Sequence, residues 1–200
     1  MCKHNSRCGC SSNRQCENFG PFVAIDAACI TSPPLTTTTG SIIPFSSGIE
    51  TIFLTSFESG LIESVSLIGF GTGINGVSLT GTNIVTTTLT EAFSVPRAGT
   101  ITSISATFSA TAVSPLPGVT TIRAQIYRAT AGSNVFSPTT AFVDLSPSLT
   151  TIAVGTIVSG TANVTPVPVT AGDRLLMVFS VTSTGAVTIF GNASAGINIV

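Results

Sequence analysis

The chain has 200 residues, of which 43% are hydrophobic and only 8% charged, and its formal net charge is −1. That length suits one domain with a real core rather than two. A charge content so far below the roughly 25% of average domains leaves little repulsion between copies, and with a single lysine, Lys3, there is no basic stripe to track phosphates. Nucleic acid is therefore not an expected partner.

Hydroxyls take the place of charge: 32 Thr and 25 Ser make up more than a quarter of the residues. Thr is β-branched and suits a pleated, half-exposed surface. With 19 Gly, 11 Pro and no Trp, the composition reads as all-β with many turns. Residues 1–20 lack an apolar core, so no signal peptide is expected. No run approaches about 18 apolar residues, so no membrane span is expected either.

Residues 1–29 form a cysteine-rich N-terminal connector holding all five cysteines, Cys2, Cys8, Cys10, Cys16 and Cys29, with the sole histidine, His4. Residues 30–41 are a Pro- and Thr-rich linker, biased by Pro33 and Pro34 towards an extended path. From residue 42 to 200 strand-like segments recur, and cysteine is absent. They are expected at 50–57, 62–69, 76–80, 83–94, 99–109, 119–129, 133–144, 150–159, 163–169, 173–183 and 186–199. In 120–128, Ile122, Ala124 and Ile126 face one way while Arg123, Gln125 and Tyr127 face the other. In 100–108 the alternation is imperfect, which predicts a strand covered on both faces. Turns are expected at Gly71–Gly73, Asn75–Gly76, Pro96–Gly99, Pro115–Gly118, Ala131–Gly132 and Gly172–Asp173. Pro166 and Pro168 sit in a Val-rich strand; proline cannot donate to a ladder, so this strand belongs at a sheet edge. The expected architecture is a jelly-roll-like antiparallel β-sandwich with an extended N-terminal tail.

No catalytic constellation emerges. The only histidine is in the tail, where no rigid scaffold holds it against a Ser or an Asp. Glu50, Glu58, Glu63, Glu91, Asp144 and Asp173 are scattered, with nothing to group two of them as a glycosidase pair. Asp173–Arg174 reads as a turn entering a strand, Asp bonding the nearby backbone. The segment from Gly69 to Gly73 looks superficially like a phosphate loop, but no helix signal or lysine follows, so it reads as a loop at a strand end. Asn163 and Asn192 head N-glycosylation patterns to which no role is assigned. Arg97, Arg123 and Arg128 are candidates for ion pairs between subunits. The chain is read as no enzyme, with no cofactor.

Five cysteines leave at least one over after pairing within a chain, and Cys8 and Cys10 are too close to pair comfortably with each other. The leading reading makes Cys2, Cys8, Cys10, Cys16 and Cys29 intersubunit disulfide candidates, stable in an oxidising environment. A second is a zinc site from Cys2, His4, Cys8, Cys10 and Cys16, although the spacing matches no common zinc module. A third is a tail whose thiols do nothing specific.

The stretch 41–200 resembles the C-terminal domain of BclB-type exosporium glycoproteins of spore-forming bacilli. The similar segments are SIIPFSSG at 41–48, LIGFGTGINGVSL at 67–79, AFSVPRAGTITSISATFS at 92–109, TIRAQIYRAT at 121–130, VPVTAGDRLLMVFSVTSTG at 167–185 and ASAGINIV at 193–200. The resemblance implies a jelly-roll-like sandwich, often trimeric, on the outer spore layer, without catalysis. The chain departs from that family in having no Gly-X-Y stalk and no clear copy of its leader. Its cysteine-bearing tail is similar in layout, not in sequence, to endospore appendage fibre subunits. Two functions follow as expectations. One is a structural subunit of a spore surface layer or appendage, meeting copies of itself and other spore-surface proteins as a trimer or helical fibre, locked by tail disulfides. The other is a trimeric display or ligand-binding head anchored by its tail; with one Tyr and no Trp, it lacks the aromatics that binding hot spots favour.

Overall fold

The structure, a computed structural model, describes residues 40–86 and 91–200. Twelve strands follow in order: β1 (Ser41–Ser46), β2 (Ile52–Ser56), β3 (Ile62–Ile68), β4 (Gly73–Val77), β5 (Ile84–Val85), β6 (Phe93–Ser94), β7 (Gly99–Ala110), β8 (Thr121–Ala129), β9 (Val135–Asp144), β10 (Ile157–Val169), β11 (Arg174–Thr182) and β12 (Val187–Ile199). The protein is all-β, and every ladder between strands is antiparallel.

The strands form a jelly-roll-like sandwich of two halves. One runs β10-β7-β12, with β1 and β2 sharing the remaining edge of β12. The other runs β3-β11-β8-β9, with β4 on β3, β6 on β11 and β5 on β9. The β2–β3 hairpin joins the halves through a short, irregular ladder. Between the halves lies the main core, built from Phe45, Phe108, Phe179 and the inward aliphatics of both. A second cluster, with Tyr127, Phe136, Leu176 and Val178, covers the outer face of the β11–β8 region.

Clean alternation on β8 is found as expected: Ile122, Ala124 and Ile126 are buried in the main core. The same alternation carries Tyr127 and Ala129 to the opposite face, into the second cluster, and the register shift opposite Gln125 and Tyr127 is taken up by extra residues in β9. Burial pushes the Tyr127 phenol above its ordinary pKa, partly offset by the positive charge of Arg123. Because the folded value is raised, stability from this group is complete below the unfolded pKa of about 10 and is lost as pH rises through the folded one. Tyr127→Phe is therefore expected to unfold less steeply than wild type with rising pH above about 10, a difference measurable by circular dichroism.

β7 is not covered on both faces. Ile104, Ala106, Phe108 and Ala110 are buried, while Ser103, Ser105, Thr107 and Ser109 stay at least partly open. The apparent irregularity is a bulge at Thr102: both neighbours skip from Ser103 to Ile101, which returns Ile101 to the core. β11 is covered on both faces: its Leu175, Met177, Phe179 and Val181 enter the main core and its Leu176 and Val178 enter the second.

Other boundaries differ from expectation. β1 forms where the linker-to-domain boundary was placed, because pairing with Ser194–Ile199 fixes it. Among the described residues of 83–94, strand is found at Ile84–Val85 and Phe93–Ser94. Residues 150–156 are irregular, and β10 runs continuously through the break expected near 160, with its irregularity between Asn163 and Val167, beside Pro166. It ends the strand order, an edge as its prolines require. Asn75–Gly76 lies inside β4 rather than in a turn. There the Asn75 amide accepts from Phe53 N at 3.0 Å and from Ser66 Oγ at 2.9 Å, and donates to Thr51 O at 3.1 Å, tying β4 to β2 and β3.

Candidate functional site

The cysteines and His4, and with them the disulfide and zinc readings, lie outside the described residues. Among the described residues no three His, Cys, Asp or Glu side chains gather as metal ligands, and no helix is long and apolar enough to cross a membrane.

Asp144, Glu50 and Asp173 are engaged in structure. Arg123 and Asp144 form a two-bonded pair at 2.6 and 2.9 Å across β8 and β9, and the guanidinium lies 4.2 Å from the Phe142 ring centre. That bond to Asp144 raises the Arg123 pKa against the opposing effect of burial. Glu50 accepts from Gly73 N at 2.9 Å. Asp173 accepts from Thr170 N at 2.8 Å, the turn the sequence predicts. It is also buried, and pairs with Arg128 Nε at 3.0 Å. Arg123 and Arg128, candidates for ion pairs between subunits, thus find carboxylates within their own chain. Arg97 bonds Ala98 O and Ser41 Oγ. The loop from Gly69 to Gly73 connects β3 to β4, as expected, with Gly71 in the positive-φ region. Asn163 is exposed on β10, whereas the Asn192 side-chain oxygen is buried without a partner.

One organised surface is the outer face of the β1-β12-β7-β10 half. Strand register sets its residues in rows. Asn198, Ser103 and Asn163 stand side by side, then Gly196, Ser105 and Thr161, then Ser194, Thr107 and Ser159. β1 extends the rows with Ile42, Pro44 and Ser46. None of these side chains is charged. Several satisfy one another: Ser105 Oγ and Thr161 Oγ1 are 2.8 Å apart, and Asn198 Nδ2 donates to Thr102 Oγ1 at 3.1 Å. Hydroxyls already paired lose less on leaving water. Two shallow hollows of about 370 and 180 Å³ lie on this face. Ile42, 77% exposed, and Ile157, 61% exposed, border it. Sequence reasoning named none of these rows. The Ser and Thr excess was the available signal, but only the register assembles it into one face.

The second organised place is the seam between the outer strands β9 and β10. It closes at one end, where Ser146 and Ser159 exchange backbone hydrogen bonds of 2.9 and 3.1 Å. Gly160 permits this approach, since a Cβ there would press on Val143 and the Asp144 carbonyl. Towards the other end stand Pro138, Pro166 and Pro168, which contribute no N–H. There Arg128 Nη1 reaches across to Pro168 O at 2.6 Å. A cavity of about 400 Å³ opens beside it, lined by Arg128, Thr130, Ser133, Val135, Ser137, Pro138 and Thr139.

No protein-family model matches the chain. It is 34% identical over 158 residues to Collagen-like protein 1 of Acanthamoeba polyphaga mimivirus, a match covering 72% of this chain but 17% of that protein. The chain therefore spans less than a fifth of this relative's length. Among solved structures it is similar to Eiger TNF from S. frugiperda, with a TM-score of 0.40 and 12% identity over 80% of this chain and 92% of that one.

Proposed function

We propose that this chain is a non-catalytic structural subunit of a spore surface layer or appendage, associating through its β domain and crosslinked by its N-terminal cysteines. The observation that carries this reading is the charge-free outer face of β1, β12, β7 and β10. A face this large and uncharged, with small side chains in register, admits the close approach of a second copy. Similarity to a collagen-like protein favours a structural role over a catalytic one, and the spore location rests on the resemblance of 41–200 to exosporium domains. All five cysteines fall in the first 29 residues and none in the fold, as expected of a device that joins chains rather than one that holds a domain together.

Ser105 is exposed at the centre of the face. Ser105→Arg is expected to leave the thermal midpoint unchanged and to weaken self-association at least about tenfold, as roughly 1.4 kcal/mol of interface energy would, measured by light scattering under reducing conditions. An unchanged mass distribution would remove the face from the reading. Cys8→Ser with Cys10→Ser tests the tail separately: assemblies seen by negative-stain electron microscopy should shed subunits in reductant for wild type and already be weak in the variant. Equal resistance of both to reductant and detergent would exclude crosslinking by these cysteines.

A further inference from the structure

The cavity beside Arg128 has chemistry that self-association does not use. Arg128 turns Nε to Asp173 and one Nη1 N–H to Pro168 O. A guanidinium carries five N–H donors, so the others remain for the cavity, into which the partly exposed side chain looks. Asp173 offsets the charge of Arg128. Next along the chain, Arg174 holds Ser133 O and Asn134 Oδ1 and lies 5.1 Å from the Phe136 ring centre, with no carboxylate within ion-pair distance among the described residues. Arg174 stands on the opposite face of the sheet, beside Ala129 and Phe136, so the guanidinium that lines the cavity is that of Arg128.

The rest of the lining is mixed in a specific way. The hydroxyls of Thr130 and Ser137 are exposed at the cavity wall, and Val135 and Pro138 supply an apolar strip. About 400 Å³ falls within the usual range for small-molecule sites. Free guanidinium N–H groups recognise a carboxylate through paired bonds, hydroxyls suit a polyol, and an apolar strip suits the C–H face of a sugar ring.

We propose that this cavity is a binding site for a small polyhydroxylated carboxylate, of which a uronic acid is the simplest form. Asp173 and Pro168 hold Arg128 in place, so the donors are preorganised. The planar, paired N–H donors of Arg128 favour a carboxylate over a neutral sugar.

Isothermal titration calorimetry on the full chain, kept reduced, tests this with glucuronate as the probe and with glucose and acetate as controls. Saturable binding of glucuronate, at least about tenfold tighter than either control, is expected. Thr130→Val with Ser137→Val removes two exposed hydroxyls and should weaken glucuronate at least fivefold while leaving the thermal midpoint in place. Absence of saturable heat, equal binding of glucose or acetate, or a Thr130→Val, Ser137→Val variant that binds as wild type would each overturn the assignment. None of these outcomes bears on whether the outer face of β1, β12, β7 and β10 associates, because that face and this cavity share no residue.

Discussion

Arg128→Met is expected to destabilise the domain by about 3–5 kcal/mol, the cost typical of stripping one partner from a buried ion pair. Asp173 is almost wholly buried, 1% exposed, and Arg128 is its ion-pair partner at 3.0 Å. The same guanidinium reaches Pro168 O, so one side chain ties the β10–β11 turn, the end of β10 and β8 together. Without it the carboxylate keeps the Thr170 N–H at 2.8 Å. Urea unfolding followed by circular dichroism measures the loss. Arg128→Met with Asp173→Asn should recover part of it, because the amide oxygen still accepts from Thr170 while the unpaired charge is gone. A loss below about 1 kcal/mol for Arg128→Met would place the pair in the class of solvated surface bridges instead.

Gly191→Ala is expected to cost about 3 kcal/mol, the upper end of the usual overpacking range. Gly191 sits on β12 between Ile52 of β2 and Ala110 of β7. A Cβ there would overlap the Phe108 ring and the Ser109 carbonyl. The ring is fully buried in the main core and has little room to swing away, and the carbonyl belongs to a paired strand. The backbone must therefore shift. Thermal unfolding reads the effect, and Phe108→Leu in the same chain should make the alanine less costly, since the shorter side chain removes the ring contact. Equal effects of Gly191→Ala in both backgrounds would show that the carbonyl, not the ring, sets the penalty.

How much of this was legible depends on the range of the interaction. Period-two alternation made β8 readable from Ile122, Ala124 and Ile126, and the prolines of β10 marked it as an edge. β1 was not readable: SIIPFS holds a proline and stands beside a linker-like run, and it becomes a strand by pairing with residues some 150 positions away. The bulge at Thr102 disguised β7 as a strand with two covered faces, because one extra residue reverses the parity of everything beyond it. Asn75–Gly76 has the composition of a turn, yet its amide links three strands. The Arg128–Asp173 pair joins two residues that look unrelated in sequence. The hydroxyl rows are the same case on a larger scale: composition announced the Ser and Thr, and register alone arranged them.

β12 fills the centre of its half of the sandwich, meeting β1 and β2 on one side and β7 on the other. It also follows all three of them along the chain. On a ribosome, β1, β2 and β7 emerge long before the strand that binds them, and they wait with unpaired edges and exposed apolar side chains. Pairings of such long sequence separation form slowly, and waiting strands are prone to join their neighbours instead. Under the proposed self-association, the order of synthesis thus bears on assembly. Subunits completed before they meet would join as finished sandwiches, whereas chains stalled short of residue 187 would meet through open β edges and aggregate.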